Sequence, residues 1–75
     1  MKLAWQQIPS TVISDLLCQN KLDGVVLDAE HGCFNNEMIY NCIQLITAYG
    51  KKCFVRPKGE LIIWKKFHFM ILIIT

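Results

Sequence analysis

The stretch DGVVLDAEHGCFNN, residues 23–36, sets an unbroken apolar run, Val25, Val26 and Leu27, just before three ionisable side chains, Asp28, Glu30 and His31. A run without polar alternation suits a strand covered on both faces, as in parallel sheets, rather than one with a wet face. Gly24 leads into the run and D-x-E-H-G closes it, so the ionisable groups fall at the strand's carboxyl end. Ligands of α/β folds meet that end of the strands, where the loops converge.

The flanks agree with this reading. Upstream, LAWQQI (residues 3–8) is predicted to be a strand, stopped by Pro9. Ser10 then offers a capping oxygen to a helix, TVISDLLCQNK, with Val12, Ile13, Leu16 and Leu17 on one face and Asn20 and Lys21 at its end. Downstream, Asn35 or Asn36 caps a second helix, EMIYNCIQLITAYG. Its apolar positions Met38, Ile39, Cys42, Ile43, Leu45 and Ile46 keep the helical period, and Gly50 is a natural stop. KKCFVRP then reads as a third strand closed by Pro57. Strand and helix alternating over short connections is the pattern of βαβ units, and the expected fold class is α/β. Residues 60–75 change character, with isoleucines among aromatics in no clean order. A third helix over residues 60–67 with a β-like remainder is the expectation there.

Composition narrows the function. A chain of 75 residues makes one small domain and hides only a modest fraction of its surface, yet 53% of it is hydrophobic. That richness fits a chain that self-associates, or a piece of a larger fold. The net charge of +2 is small, and only Lys51–Lys52 and Lys65–Lys66 are adjacent, which excludes a nucleic-acid footprint. The four cysteines form no C-x-x-C pair and sit in or beside apolar runs, as small hydrophobes do. With no secretory signal in the sequence, reduced thiols in a cytoplasmic protein are expected over disulfides or zinc. Lys65, Lys66 and His68 interrupt the apolar end, leaving a run far below the ~20 residues of a spanning helix. No transmembrane segment is expected.

Candidate site residues follow from the strand ends. Trp5 lies in the first strand, Asp28, Glu30 and His31 follow the second, and Arg56 ends the third. His31 suits a general base, Arg56 a bidentate partner for a carboxylate or enolate oxygen, and Asp28 a group that orients either. The same residues have plainer uses. Asp28 can cap the next turn, Glu30 can be solvated, a loop histidine is usually structural, and Arg56 can make a surface ion pair worth little. Spacing alone favours those structural roles.

A resemblance adds what spacing lacks. LDGVVLDAEHGCFNN followed by CFVRPKG resembles the N-terminal part of the HpcH/HpaI aldolases, the 2-keto-3-deoxy-sugar-acid and 4-hydroxy-2-oxo-acid aldolases. The hallmark is a strand ending D-x-E-H-G, a helix opened by Asn, and a strand ending V-R-P; WQQIPSTVISDLL resembles the family's first strand and helix. The likeness implies a (β/α)₈ barrel, usually oligomeric, with residues 1–59 as its N-terminal β/α units and 60–75 as a divergent apolar tail. It implies a carbon–carbon lyase making or breaking the bond next to pyruvate, with a divalent cation, Mg²⁺ or Mn²⁺, and a metal-stabilised enolate. By resemblance His31 matches the catalytic acid/base, Arg56 the arginine that steadies the enolate oxygen, and Asp28 and Trp5 residues that line the substrate pocket. Glu30 matches a position with no assigned role.

The departures limit the expectation. A barrel takes roughly 250 residues, so this chain supplies about three of eight βα units. The family's metal ligands, a Glu and an Asp, and the acidic partner of its histidine lie beyond the match, so no metal ligand is expected in this chain. It reads as a truncated or frame-shifted copy, and the 75 residues alone are expected to be a poor aldolase or none. The alternative reading is a non-catalytic interaction or assembly fragment, or a decayed gene product.

Overall fold

Parallel strands need crossovers, and the two helices supply them. The computed structural model describes residues 1–57 and the strand backbones of Glu60–Trp64 and Met70–Ile74. The elements are β1 (Leu3–Gln6), α1 (Thr11–Cys18), β2 (Gly24–Asp28), α2 (Asn36–Ala48), β3 (Lys52–Arg56), β4 (Glu60–Trp64) and β5 (Met70–Ile74). They build one sheet in chain order, β1-β2-β3-β4-β5. β1, β2 and β3 run parallel, with Trp5 opposite Val26 and Asp28 opposite Arg56. β4 pairs antiparallel with β3, and β5 antiparallel with β4.

Local chemistry sets the boundaries. Ser10 caps α1 by accepting from the Ile13 N–H, and Asn35 caps α2 by accepting from the Met38 N–H at 2.7 Å. α2 ends in a Schellman turn: Gly50 at φ 74 donates to the Thr47 carbonyl and Lys51 to the Ile46 carbonyl. β1 stops two residues short of the expected strand. The buried Gln6 amide donates to the Ile8 and Ser10 carbonyls and accepts from Ser14 Oγ, turning the chain early.

All five residues of β2 are buried, as its unbroken apolar run requires. Val25 and Leu27 of β2 join Cys53 and Val55 of β3 in one core with Cys18 of α1 and Cys42, Ile43 and Ile46 of α2. Both helices therefore cover the same face. Each fully buried aliphatic side chain there contributes about 1.5–3 kcal/mol of transfer free energy. Val26 and Phe54 alternate with these residues and are buried on the opposite face.

Two expectations need correction. α1 does not bury Val12 and Leu16, which are 66% and 52% exposed; Ser14 and Cys18 take the inward positions, with Ile13 and Leu17 beside them. The buried Gln6–Ser14 hydrogen bond rotates the helix to that face, overriding the apolar stripe. The third helix is also absent where it is described, because residues 60–64 form β4. β-Branched Ile62 and Ile63 favour extended backbone, and β3 offers an open edge to pair with. Residues 65–67 lie outside the described residues. Among the described residues no helix is long and apolar enough to cross a membrane.

The thiols belong to the packing. Cys18, Cys42 and Cys53 are free and buried, and Cys33 is free and exposed. Burial, with Cys42 and Cys18 nearby, pushes the Cys53 thiol up to about 12, so it stays protonated.

Candidate functional site

The sheet register brings the candidate residues to one place. Side chains alternate along a strand, so Trp5, opposite Val26, shares a face with Asp28, and Arg56 shares it through its pairing with Asp28. This is the face away from the helices, at the carboxyl ends of the parallel strands.

Asp28 is the hub. It is 1% exposed, and its carboxylate collects donors from three segments. Oδ1 accepts the backbone N–H groups of Glu30 and His31 at 3.2 and 3.1 Å, a turn that bends the chain sharply off β2. Oδ2 faces the Trp5 indole N–H at 3.1 Å, the Gln7 amide at 3.2 Å and His31 Nδ1 at 3.3 Å. Burial alone would raise the Asp28 carboxyl. The hydrogen bonds from the His31 backbone, Trp5, Gln7 and the His31 ring outweigh it and hold the group well below the usual carboxylate range.

The turn needs its glycine. A Cβ on Gly32 would lie 2.5 Å from the Gln7 carbonyl oxygen and 2.6 Å from that of Asp28. The backbone passes so close to both strand ends that only a hydrogen fits there. A hydrogen bond from the Gly32 N–H to the Asp28 carbonyl fastens the pass.

Arg56 faces this turn. Its Nη1 lies 3.2 Å from Glu30 Oε2, 3.6 Å from Asp28 Oδ1 and 3.4 Å from His31 Nδ1. The His31 ring, 60% exposed, has Nδ1 toward Asp28 and Nε2 3.5 Å from Glu30 Oε2. An exposed imidazole and a partly covered guanidinium beside a buried carboxylate form an arrangement able to bind an oxyanion and move a proton.

The structure therefore brings together Trp5, Asp28, Glu30, His31 and Arg56. Asp28 also does the plainer job of capping the turn. Sequence reading missed Gln7, although the signal was present: in a strand over residues 3–8, Gln7 stands two positions from Trp5 and shares its face.

A divalent cation is not suited by these groups. The lone pairs of Asp28 are spent on N–H donors, and Arg56 lies against both carboxylates. Among the described residues no group of three His, Cys, Asp or Glu side chains is arranged to hold a metal ion. The chain matches no model of a known protein family and no curated protein.

Proposed function

We propose that this chain carries the first β/α units of a cytoplasmic aldolase of the HpcH/HpaI type and the part of its pocket that receives a 2-oxo acid such as pyruvate. The observation that carries the reading is the convergence of Trp5, His31 and Arg56 on the Asp28 carboxylate at the strand ends. These are also the residues that carry the likeness in sequence. The sheet supports a barrel origin as well. Its parallel strands follow chain order with both helices on one face, whereas a doubly wound sheet reverses order and splits its helices between faces. That support stops at β3, since a barrel's fourth strand runs parallel and β4 does not.

In this reading Arg56 takes the carboxylate or enolate oxygen of the 2-oxo acid, and His31 gives and takes the proton at the carbon–carbon bond being made or broken. Asp28 fixes the turn that carries His31, and Trp5 walls the pocket. The family's Mg²⁺ or Mn²⁺ has no fitting donor set among the described residues, and the reading is that the 75 residues bind a 2-oxo acid and are a poor aldolase or none.

Calorimetric titration with pyruvate, with and without Mn²⁺, tests this. Saturable heat that is lost in Arg56→Ala is expected. No heat, or heat that survives Arg56→Ala, overturns the pocket. Release of pyruvate from a 4-hydroxy-2-oxo acid by the purified chain overturns its inactivity.

One observation favours the alternative, an assembly piece. Val12 and Leu16 are exposed one turn apart on α1, Ile8 is exposed in the loop that leads to it, and β1 is an edge of the sheet.

A further inference from the structure

The site holds two carboxylates against one guanidinium, and the two are held differently. Asp28 is 1% exposed and accepts from the Glu30 and His31 backbone and from the Trp5 and Gln7 side chains, which fixes it in place. Glu30 stands on the rim with a side chain 25% exposed, and its backbone is tied by the N–H it donates to Asp28 Oδ1. Three rotatable bonds separate that anchored backbone from the Glu30 carboxylate. The carboxylate can therefore change place while the turn stays as it is.

The Glu30 carboxylate lies where a bound anion would lie. Its Oε2 is 3.2 Å from Arg56 Nη1 and 3.5 Å from His31 Nε2, so one oxygen bridges the guanidinium and the imidazole. These are the two side chains that hold the oxyanion and move the proton in the proposed function. An anion arriving beside Glu30 meets two carboxylates against one guanidinium, a net repulsion while His31 is neutral. An anion that takes the place of Glu30 exchanges one carboxylate for another and leaves the balance at Arg56 as it was.

We propose that Glu30 is an internal competitor: its carboxylate occupies the anion subsite of Arg56 and His31 until a carboxylate ligand displaces it. The proposal rests on Arg56 and His31 receiving an anion, but not on that anion being a 2-oxo acid. Glu30→Ala removes the competitor and keeps the backbone N–H that closes the turn on Asp28.

Nuclear magnetic resonance titrations with acetate and with pyruvate, in the parent, Glu30→Ala and Arg56→Ala, test it. Acetate carries the carboxylate without the 2-oxo group. Both anions are expected to bind Glu30→Ala about fivefold more tightly than the parent, the upper worth of a partly exposed ion pair. That binding is expected to be lost in Arg56→Ala. In the parent, the side-chain carboxyl carbon resonance of Glu30 is expected to move toward that of a solvated glutamate as either anion saturates. Equal affinity in parent and Glu30→Ala, or a Glu30 carboxyl resonance unmoved at saturation, overturns the competitor and leaves the 2-oxo acid reading standing. A gain in Glu30→Ala with pyruvate binding no better than acetate supports the competitor and overturns that reading. Absence of saturable binding of either anion to Glu30→Ala overturns both.

Discussion

The two faces of the same three parallel strands do opposite things with buried groups. Toward the helices, Val25, Leu27, Cys53 and Val55 pack into one apolar cluster with residues of α1 and α2, and stability there comes mainly from area and close packing. On the other face, one residue beyond Leu27, Asp28 is as deeply buried, yet it is held by directed hydrogen bonds from Trp5, Gln7 and the His31 turn. The first face tolerates an exchange of one apolar shape for another. The second is sensitive to charge, because a neutral side chain of the same shape leaves a single oxygen for the donors that Oδ1 and Oδ2 now accept. The sharpest way to break the helix face is Leu27→Ala. It leaves a cavity in a layer with no exposed side to collapse from, and a loss of about 2–5 kcal/mol is expected in denaturant unfolding. A loss under about 1 kcal/mol would mean that the helices do not pack on β2 as described.

The site face breaks more gently, and with a pH signature. Asp28→Asn keeps the shape but removes the charge its donors face, and about 1.5–3 kcal/mol is expected to go at neutral pH. Because the folded carboxyl lies below its unfolded value of about 3.9, the folded state binds fewer protons in the window beneath that value. Its stabilisation is therefore complete above the unfolded value and lost as pH falls below it toward the folded one. The parent should show a falling acid limb beginning near pH 4. Asp23, lowered by a hydrogen bond from the Lys2 N–H, contributes in the same direction. The difference between parent and Asp28→Asn isolates Asp28. If the two acid limbs coincide, the hydrogen bonds on Asp28 are not what lowers it.

This contrast also explains what could be read in advance. The unbroken Val25–Leu27 run, the capping Ser10 and Asn35 and the helix-stopping Gly50 are local signals, and local chemistry settles each of them. The meeting of Trp5, Asp28, His31 and Arg56 was legible because parallel strands bring their carboxyl ends together wherever residues stand in the chain. Gln7 was overlooked, although alternation from Trp5 along the expected strand puts it on the same face, where its amide reaches Asp28. β4 was misjudged because its partner decides it: an apolar segment without clear period becomes a strand where an edge is open to pair with.

The smallest effect concerns the apolar stripe of α1 that the fold leaves outside. Periodicity alone would bury Val12 and Leu16 on α1, but the buried Gln6–Ser14 hydrogen bond turns the helix so that both face outward. A half-exposed side chain has few contacts to lose, so Leu16→Ser is expected to change unfolding free energy by no more than about 0.5 kcal/mol. Helix propensity differs by less than that between the two residues. If the loss instead exceeds about 1 kcal/mol and grows with protein concentration, Leu16 is covered in solution by a second copy. Burial on α1 would then have two sources, the chain's own sheet for Ser14 and Cys18 and a neighbour for Val12 and Leu16. The polar hydrogen bond that rotated the helix would be the reason that its apolar stripe became available for assembly.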